Sequence, residues 1–139
     1  MTDFVIDSSA AMAWALPDEH SPRAEKILAR ITAESSLWIP PLWWYEVANV
    51  VVMSRRRKRL SEAQGARVIE LLSRFPLQID SPPGSSSASR LAQVAQEHSL
   101  SAYDAAYLEL AERRGLALAT FDRDLIRAAR AAGVPLIEA

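Results

Sequence analysis

Four short apolar segments alternate along this chain with longer segments that have helical patterns. The apolar segments are Phe4–Ile6, Leu37–Ile39, Leu77–Ile79 and 116–119. Their apolar residues are mostly continuous, which is typical of strands buried on both faces of a parallel sheet. Strand–helix alternation of this kind predicts an α/β fold, with three α/β/α layers around a mostly parallel central sheet of four to five strands. Residues 135–137 are the candidate fifth, edge strand.

Capping residues and helix breakers predict seven helices. Ser21 precedes Pro22 at the start of the second helix, Ser61 and Gln64 form a capping box, and glycines end the last two helices. The first helix is expected to end at about residue 16, the second to open at Pro22, and the others to cover about 42–58, 61–75, 88–98, 101–114 and 123–132. The Pro/Gly/Ser-rich stretch 82–87 is expected to be a loop. At 139 residues, the chain suits a single domain over 1–139.

Composition excludes several classes of function. The net charge of -1 predicts no strong global attraction to nucleic acid, so local basic patches or metal ions would have to supply it. The absence of cysteine excludes disulfides and thiol chemistry and fits a reducing cytoplasm. The start of the chain lacks a signal-peptide pattern, and the longest apolar stretch, 37–53, contains prolines and Glu46, so we expect no membrane association.

Two acidic residues stand in apolar surroundings at positions that favour function. Asp7 follows the first strand, and the carboxyl ends of parallel strands are where α/β folds bind ligands. It could also serve simply as a helix N-cap, although Ser8 or Ser9 could do the same. Glu46 lies in a helix whose neighbouring positions are apolar except for Asn49. Glu is seldom buried unless it is paired or binds a metal.

Two further acids also have capping alternatives. Asp104 lies in the first turn of a helix that Ser101 could cap, a position that suits an acid in any case. Asp122 follows the fourth strand and could cap the last helix. Asp124 competes with it, but residues two apart do not share a helix face. Thr120 lies close enough to Asp122 to hydrogen-bond a carboxylate or a metal-bound water.

The four acids together predict a metal-dependent hydrolase, since clustered buried carboxylates need a cation. His20 and His98 are in polar contexts without Cys or His partners, so an all-oxygen site for Mg²⁺ or Mn²⁺ is favoured over zinc. Asp80 also ends a strand, but the Pro-Gly-Ser stretch after it predicts a solvated turn.

At these residues the chain resembles the PIN-domain ribonucleases, and more narrowly the VapC toxins of type II toxin–antitoxin pairs. The matching segments are Val5-Ile6-Asp7-Ser8-Ser9, Glu46-Val47-Ala48-Asn49, Leu100-Ser101-Ala102-Tyr103-Asp104-Ala105-Ala106-Tyr107 and Leu118-Ala119-Thr120-Phe121-Asp122. The resemblance implies Mg²⁺- or Mn²⁺-dependent endonucleolytic cleavage of RNA, with an acidic quartet at Asp7, Glu46, Asp104 and Asp122. Asp7 and Asp104 are the first candidates for direct metal ligands. Hydroxyl residues after the first Asp are usual in the family, and here they are Ser8 and Ser9.

The resemblance also implies partners. We expect an RNA substrate, a cognate antitoxin that occludes the site, a homodimer and action in the cytoplasm. Trp43 and Trp44 are consecutive on a helix, so one of them is expected to line a groove or an interface. The one dense basic run could contact RNA phosphates or could be a solvated helix end: Arg55, Arg56, Arg57, Lys58 and Arg59. Arg113 and Arg114 are expected to be ordinary surface residues.

Three other functions remain open. The chain could be a PIN-fold module that binds RNA or protein without catalysis, with the acids serving as caps. It could also be a PIN nuclease that is not a toxin. A phosphatase or receiver-like Mg²⁺ domain is the third alternative, but no acid begins the Asp-x-Asp-x-Thr pattern of aspartyl-phosphate phosphatases.

Overall fold

A computed structural model of the chain describes residues 3–81 and 84–137. Four strands form one parallel sheet in the order β3-β2-β1-β4: β1 (Phe4–Ile6), β2 (Leu37–Ile39), β3 (Leu77–Ile79) and β4 (Ala117–Ala119). Val5 of β1 is in register with Trp38 of β2 on one side and with Leu118 of β4 on the other. The expected edge strand at 135–137 is reduced to a single parallel bridge between Leu136 and Leu118.

Seven helices follow the predicted order with small differences at their ends. They are α1 (Ser8–Ala15), α2 (Pro22–Leu28), α3 (Leu42–Arg56), α4 (Glu62–Ser73), α5 (Gly84–His98), α6 (Ala102–Arg114) and α7 (Arg123–Ala132). The capping box of Ser61 and Gln64 is confirmed, and so are the left-handed stops at Gly115 and Gly133. α3 ends two residues early because Lys58 takes a positive φ of 61°.

The predicted loop at 82–87 is wrong from Gly84 onward. α5 begins at Gly84 instead of residue 88, so the three serines that follow are helical. Residues 82 and 83 lie outside the described residues. Glycine and serine are weak helix formers, but helices in proteins owe most of their stability to tertiary packing. α5 packs extensively along α6 and buries Val94, which accounts for the longer helix.

The predicted three-layer α/β/α fold is confirmed. β1 lies at the centre of the core with all three residues fully buried. The principal helix–helix contacts form two groups, one among α1 to α4 and the other among α5 to α7. None of the helices in the described ranges has the length and apolarity that crossing a membrane requires.

The strand order places a switch point beside β1. From β1 the chain first builds β2 and β3 on one side and later returns to place β4 on the other. In open α/β sheets, ligands bind at such a point, outside the carboxyl ends of the strands. Asp7 follows β1 directly and Thr120 follows β4 directly, so both residues lie at this position.

Candidate active site

Asp7 is the most buried of the four predicted acids, with 3% of its surface exposed. It is the N-cap of α1, and its Oδ1 accepts hydrogen bonds from the Ala10 amide at 2.9 Å and the Ser9 hydroxyl at 2.7 Å. Its Oδ2 accepts from the Thr120 hydroxyl. Burial raises the pKa of Asp7 from 3.8 to about 6, against the opposing effect of these hydrogen bonds and with a further contribution from the charge of Asp122.

Ser9 and Thr120 join the loop after β1 to the loop after β4. The Ser9 hydroxyl donates to Asp7 and accepts the Phe121 amide at 3.0 Å. Thr120 donates to Asp7 and accepts the Asp122 amide at 3.0 Å. Asp122 in turn caps α7 through Oδ2, which accepts the Leu125 amide at 2.9 Å. Asp7 and Asp122 are therefore held by one hydrogen-bond network.

Glu46 lies just past the first turn of α3 and is partly buried. Its Oε1 accepts a hydrogen bond from the Tyr107 hydroxyl, and the Ser8 side chain lies nearby. Burial raises the pKa of Glu46, the Tyr107 and Ser8 hydroxyls oppose that rise, and the charge of Asp104 adds to it. The charge of Asp104 therefore reaches Glu46.

Asp104 occupies the first turn of α6, whose N-cap is Ser101. Its amide donates to the Ser101 hydroxyl at 3.1 Å, so the capping interpretation of this segment holds. Burial raises the pKa of Asp104, and the charges of Asp122 and Asp124 raise it further. Asp124 itself is exposed and lies 3.7 Å from Arg127, so it acts on the site through its charge.

Charge links the four acids in pairs: Asp7 with Asp122, Asp122 with Asp104, and Asp104 with Glu46. All are oxygen donors of the kind that Mg²⁺ and Mn²⁺ prefer, so the donor set fits such an ion. As placed, however, no three acidic or histidine side chains within residues 3–81 and 84–137 are close enough together to hold a metal ion. Their roles as ligands stay predictions.

Tyr107 has no role among the predictions made from the sequence, yet it contacts a predicted metal ligand. Its side chain is almost fully buried, with 1% exposed, and its hydroxyl donates to Glu46. A signal was present, because Tyr107 follows Asp104 by three residues and therefore shares its helix face. A tyrosine in an apolar run also needs a partner for its hydroxyl when it is buried.

The expectation that Asp80 is solvated is wrong. Asp80 is 5% exposed, and both of its oxygens accept hydrogen bonds from Arg113, at 3.1 and 2.5 Å. Arg114 donates to it as well and stacks its guanidinium 3.7 Å from the centre of the Trp38 ring. Arg113 also binds Glu109, so the two arginines are not ordinary surface residues. This cluster ties the end of β3 to the end of α6, the helix that begins with Asp104.

The basic run lies apart from the acids. Nine residues of helix separate Glu46 from Arg55, a rise of about 14 Å. All five side chains are exposed, but Arg59 makes two hydrogen bonds to Asp18, at 2.9 and 2.7 Å, and one to Glu19. Arg55 lies 3.9 Å from Glu62. A role in RNA binding stays a prediction, and Arg59 is the residue least available for it.

The two consecutive tryptophans differ in burial. Trp43 is fully buried, and Trp44 packs edge-on against it at 4.8 Å while remaining partly exposed. Tyr45, in the same turn, is the most exposed of the three aromatic residues, with 78% of its surface accessible to solvent. Trp43 is therefore a core residue, and an interface at this turn would involve Trp44 or Tyr45.

Fold and site together define a parallel α/β/α protein with Asp7 and Asp122 after β1 and β4, at its sheet switch point. The model of the PIN domain family matches residues 4–131. The chain is also 33% identical to Ribonuclease VapC3 of Pyrobaculum aerophilum over 121 residues, 87% of this chain and 90% of that protein. The chain therefore belongs to the PIN domain family, and its resemblance to PIN-domain ribonucleases of the VapC type is confirmed.

Solved structures agree with this assignment. The crystal structure of PAE2754 from Pyrobaculum aerophilum has a TM-score of 0.67 and 27% identity, covering 91% of this chain and 78% of that one. VapC20 of Mycobacterium tuberculosis, a toxin that cleaves the sarcin–ricin loop, has a TM-score of 0.64 at 15% identity, covering 98% and 99%. A toxin–antitoxin complex from Klebsiella pneumoniae has a TM-score of 0.59 at 21% identity, covering 87% and 88%. The last two show likeness of fold alone.

Proposed function

We propose that this chain is a Mg²⁺- or Mn²⁺-dependent endoribonuclease and the toxin of a type II toxin–antitoxin pair. It acts as a single PIN-like domain over 1–139, in the cytoplasm, and cleaves RNA phosphodiesters by attack of water. Its identity to Ribonuclease VapC3 supports the nuclease assignment. The toxin–antitoxin complex with a similar fold supports a protein antitoxin as partner, and a homodimer is part of the same proposal.

The observation that carries the proposal is the burial of Asp7 beside other acids. Its pKa is raised to about 6, so near neutral pH a charged carboxylate is held in an apolar place at an energetic cost. None of the ion pairs found between described residues involves Asp7, Glu46, Asp104 or Asp122. Such an arrangement favours a cation supplied from outside the chain.

Asp7 and Asp104 would hold the metal ion directly, with Glu46 and Asp122 completing the site directly or through water. When bound, such an ion lowers the pKa of a water molecule and stabilises negative charge on phosphoryl oxygens. The chain's own contribution is orientation. Ser9 and Thr120 fix both oxygens of Asp7, and Thr120 also holds the backbone that leads into Asp122.

One specific observation favours a second candidate, a PIN-fold module that binds RNA or protein without catalysis. Asp7 and Asp122 cap helices, and Asp104 lies in a capped first turn, so three of the four acids have structural work. Glu46 has no such role, and it is the residue that this alternative leaves unexplained.

Cleavage of a structured RNA by substoichiometric protein tests the proposal. Wild-type protein should cleave with added Mg²⁺ or Mn²⁺ and stop with a chelator. Asp104→Asn keeps the shape of the first turn but removes a charge, and we expect cleavage to fall by orders of magnitude. Glu112→Gln, an exposed acid on the same helix, is the matched control and should cleave normally. RNA binding without metal-dependent turnover would favour the binding module, and full activity in Asp104→Asn would remove that residue from the site.

A further inference from the structure

Three elements meet at the side chain of Glu46. α3 carries Glu46 itself, α6 carries the buried Tyr107, and the start of α1 carries Ser8. The Tyr107 hydroxyl donates to Oε1 of Glu46, and the Ser8 side chain lies near both Glu46 and Tyr107. Glu46 is therefore held by a hydrogen bond from one other helix, with the Ser8 hydroxyl of a second helix close by.

We propose that Tyr107, with Ser8 assisting it, is a positioning residue that holds the Glu46 carboxylate toward Asp104 in the acidic site. The inference rests on the proposed metal-dependent function. Neither hydroxyl contacts RNA or the metal ion in this proposal. Both act through the orientation of Glu46.

Glu46 needs such support more than the other three acids do. Asp7 and Asp122 are fixed by capping bonds to backbone amides, and Asp104 has a short side chain in a capped turn. Glu46 lies past the first turn of α3, and its longer side chain has more rotatable bonds to order. The hydrogen bond from Tyr107, with Ser8 close by, takes the place of the cap.

A purely structural role for Tyr107 is the competing explanation, since its ring is part of the core. The two roles reside in different atoms. The ring is buried in the core, whereas the hydroxyl donates to Glu46. Tyr107→Phe removes the hydroxyl and keeps the ring, so it separates the roles.

The experiment is a double-mutant cycle read by Mn²⁺ affinity. Calorimetry at one pH measures Mn²⁺ binding to the wild-type protein, Tyr107→Phe, Glu46→Gln and the double variant. Removing a group that orients a metal ligand commonly weakens metal binding 10- to 100-fold, so we expect Tyr107→Phe to weaken it about 10-fold. In the Glu46→Gln background the same change should have little further effect. Tyr45→Phe, which alters an exposed tyrosine next to Glu46, is the matched control and should bind Mn²⁺ normally.

Two results would overturn the inference. One is Mn²⁺ affinity in Tyr107→Phe equal to that of the wild type, even if its melting temperature falls. The other is equal weakening in both backgrounds, which would mean that the hydroxyl does not act through Glu46. If Tyr107→Phe does not fold, Ser8→Ala removes the other hydroxyl and carries the same cycle. A wild-type protein that does not bind Mn²⁺ at all would refute the proposed function itself. Wild-type binding that Tyr107→Phe leaves unchanged would refute only the role of Tyr107.

Discussion

Asp7→Asn should make the metal-free protein more stable at neutral pH and less stable in acid. The substitution removes the charge of the most buried acid while keeping a side chain that caps helices as well as Asp does. Raising a pKa from 3.8 to about 6 corresponds to about 3 kcal/mol of unfavourable free energy for the charged form. Asparagine is uncharged, so the variant does not have this unfavourable free energy.

The sign follows from proton binding. Between pH 3.8 and about 6 the folded wild-type protein holds a proton on Asp7 that the unfolded chain has lost. The free energy of unfolding therefore falls through this window as pH rises, and it does so by about 3 kcal/mol. Asparagine keeps the acceptor for Ala10 and Ser9, but Thr120 must rotate its hydroxyl to accept from the new amide group. We assign about 1 kcal/mol of lost stability to the change in this Thr120 hydrogen bond.

The net expectation is a crossover. Near neutral pH the variant should be more stable than wild type by about 2 kcal/mol, and below about pH 4 it should be less stable by about 1 kcal/mol. Urea unfolding with a chelator present, at a series of pH values, measures the difference. Glu97→Gln, which removes an exposed carboxylate from α5, is the matched control for loss of one negative charge. A difference between Asp7→Asn and wild type that does not change with pH would refute the reasoning.

Three other predictions follow from the same geometry. Metal affinity should fall, and proton release on metal binding should grow, as pH drops toward the raised pKa of Glu46. Calorimetry in buffers of different ionisation enthalpy measures both quantities. A metal affinity that stays constant between about pH 5 and pH 8 would contradict this prediction. Asp80→Asn should lower the free energy of unfolding by about 1–3 kcal/mol at neutral pH, because two arginines lose a buried partner. Burial alone would raise the pKa of Asp80, but Arg113 and Arg114 outweigh it and lower that pKa. The difference in stability between the variant and the wild type, measured in urea, should therefore shrink only in strong acid. An Asp80→Asn variant as stable as the wild type at neutral pH would count against the cluster. Replacing the five basic residues 55–59 with Gln should reduce the slope of log RNA affinity against log salt concentration by about 1.4, if two of them contact phosphates. The Mn²⁺ affinity should not change. An unaltered slope would exclude contact between these residues and RNA.

Local patterns predicted most of the fold because most of its signals are local. The strands are short apolar runs, and the caps at Ser21, Ser61 and Ser101 act within their own turns. The same holds for the glycine stops, where a left-handed backbone is needed at one residue. The start of α5 was missed because packing on α6, which no local pattern reveals, outweighs weak helix formers.

The misjudged residues depend on partners distant in sequence. Asp80 looks solvated beside a Pro-Gly-Ser stretch, yet its arginines come from 33 and 34 residues further along the chain. Tyr107 reaches Glu46 across 61 residues, a contact that exists only once α3 and α6 are placed. Spacing along one helix could suggest that Tyr107 faces the same way as Asp104, but it could not identify the acceptor.

The capping and site interpretations of Asp7 support each other. Its Oδ1 accepts from the first turn of α1, and this bond leaves Oδ2 turned toward Thr120 and the β4 loop. The cap therefore sets the direction of the carboxylate, and the favourable field of the helix N-terminus partly offsets the burial of its charge. The same logic applies to Asp122 on α7, whose cap oxygen is Oδ2. A residue that caps a helix at the end of a strand is held in place before any ligand arrives, so a capping role and a metal-binding role are compatible in Asp7 and Asp122. Glu46 lacks a cap, and its longer side chain is held instead by a hydrogen bond from the Tyr107 hydroxyl of another helix.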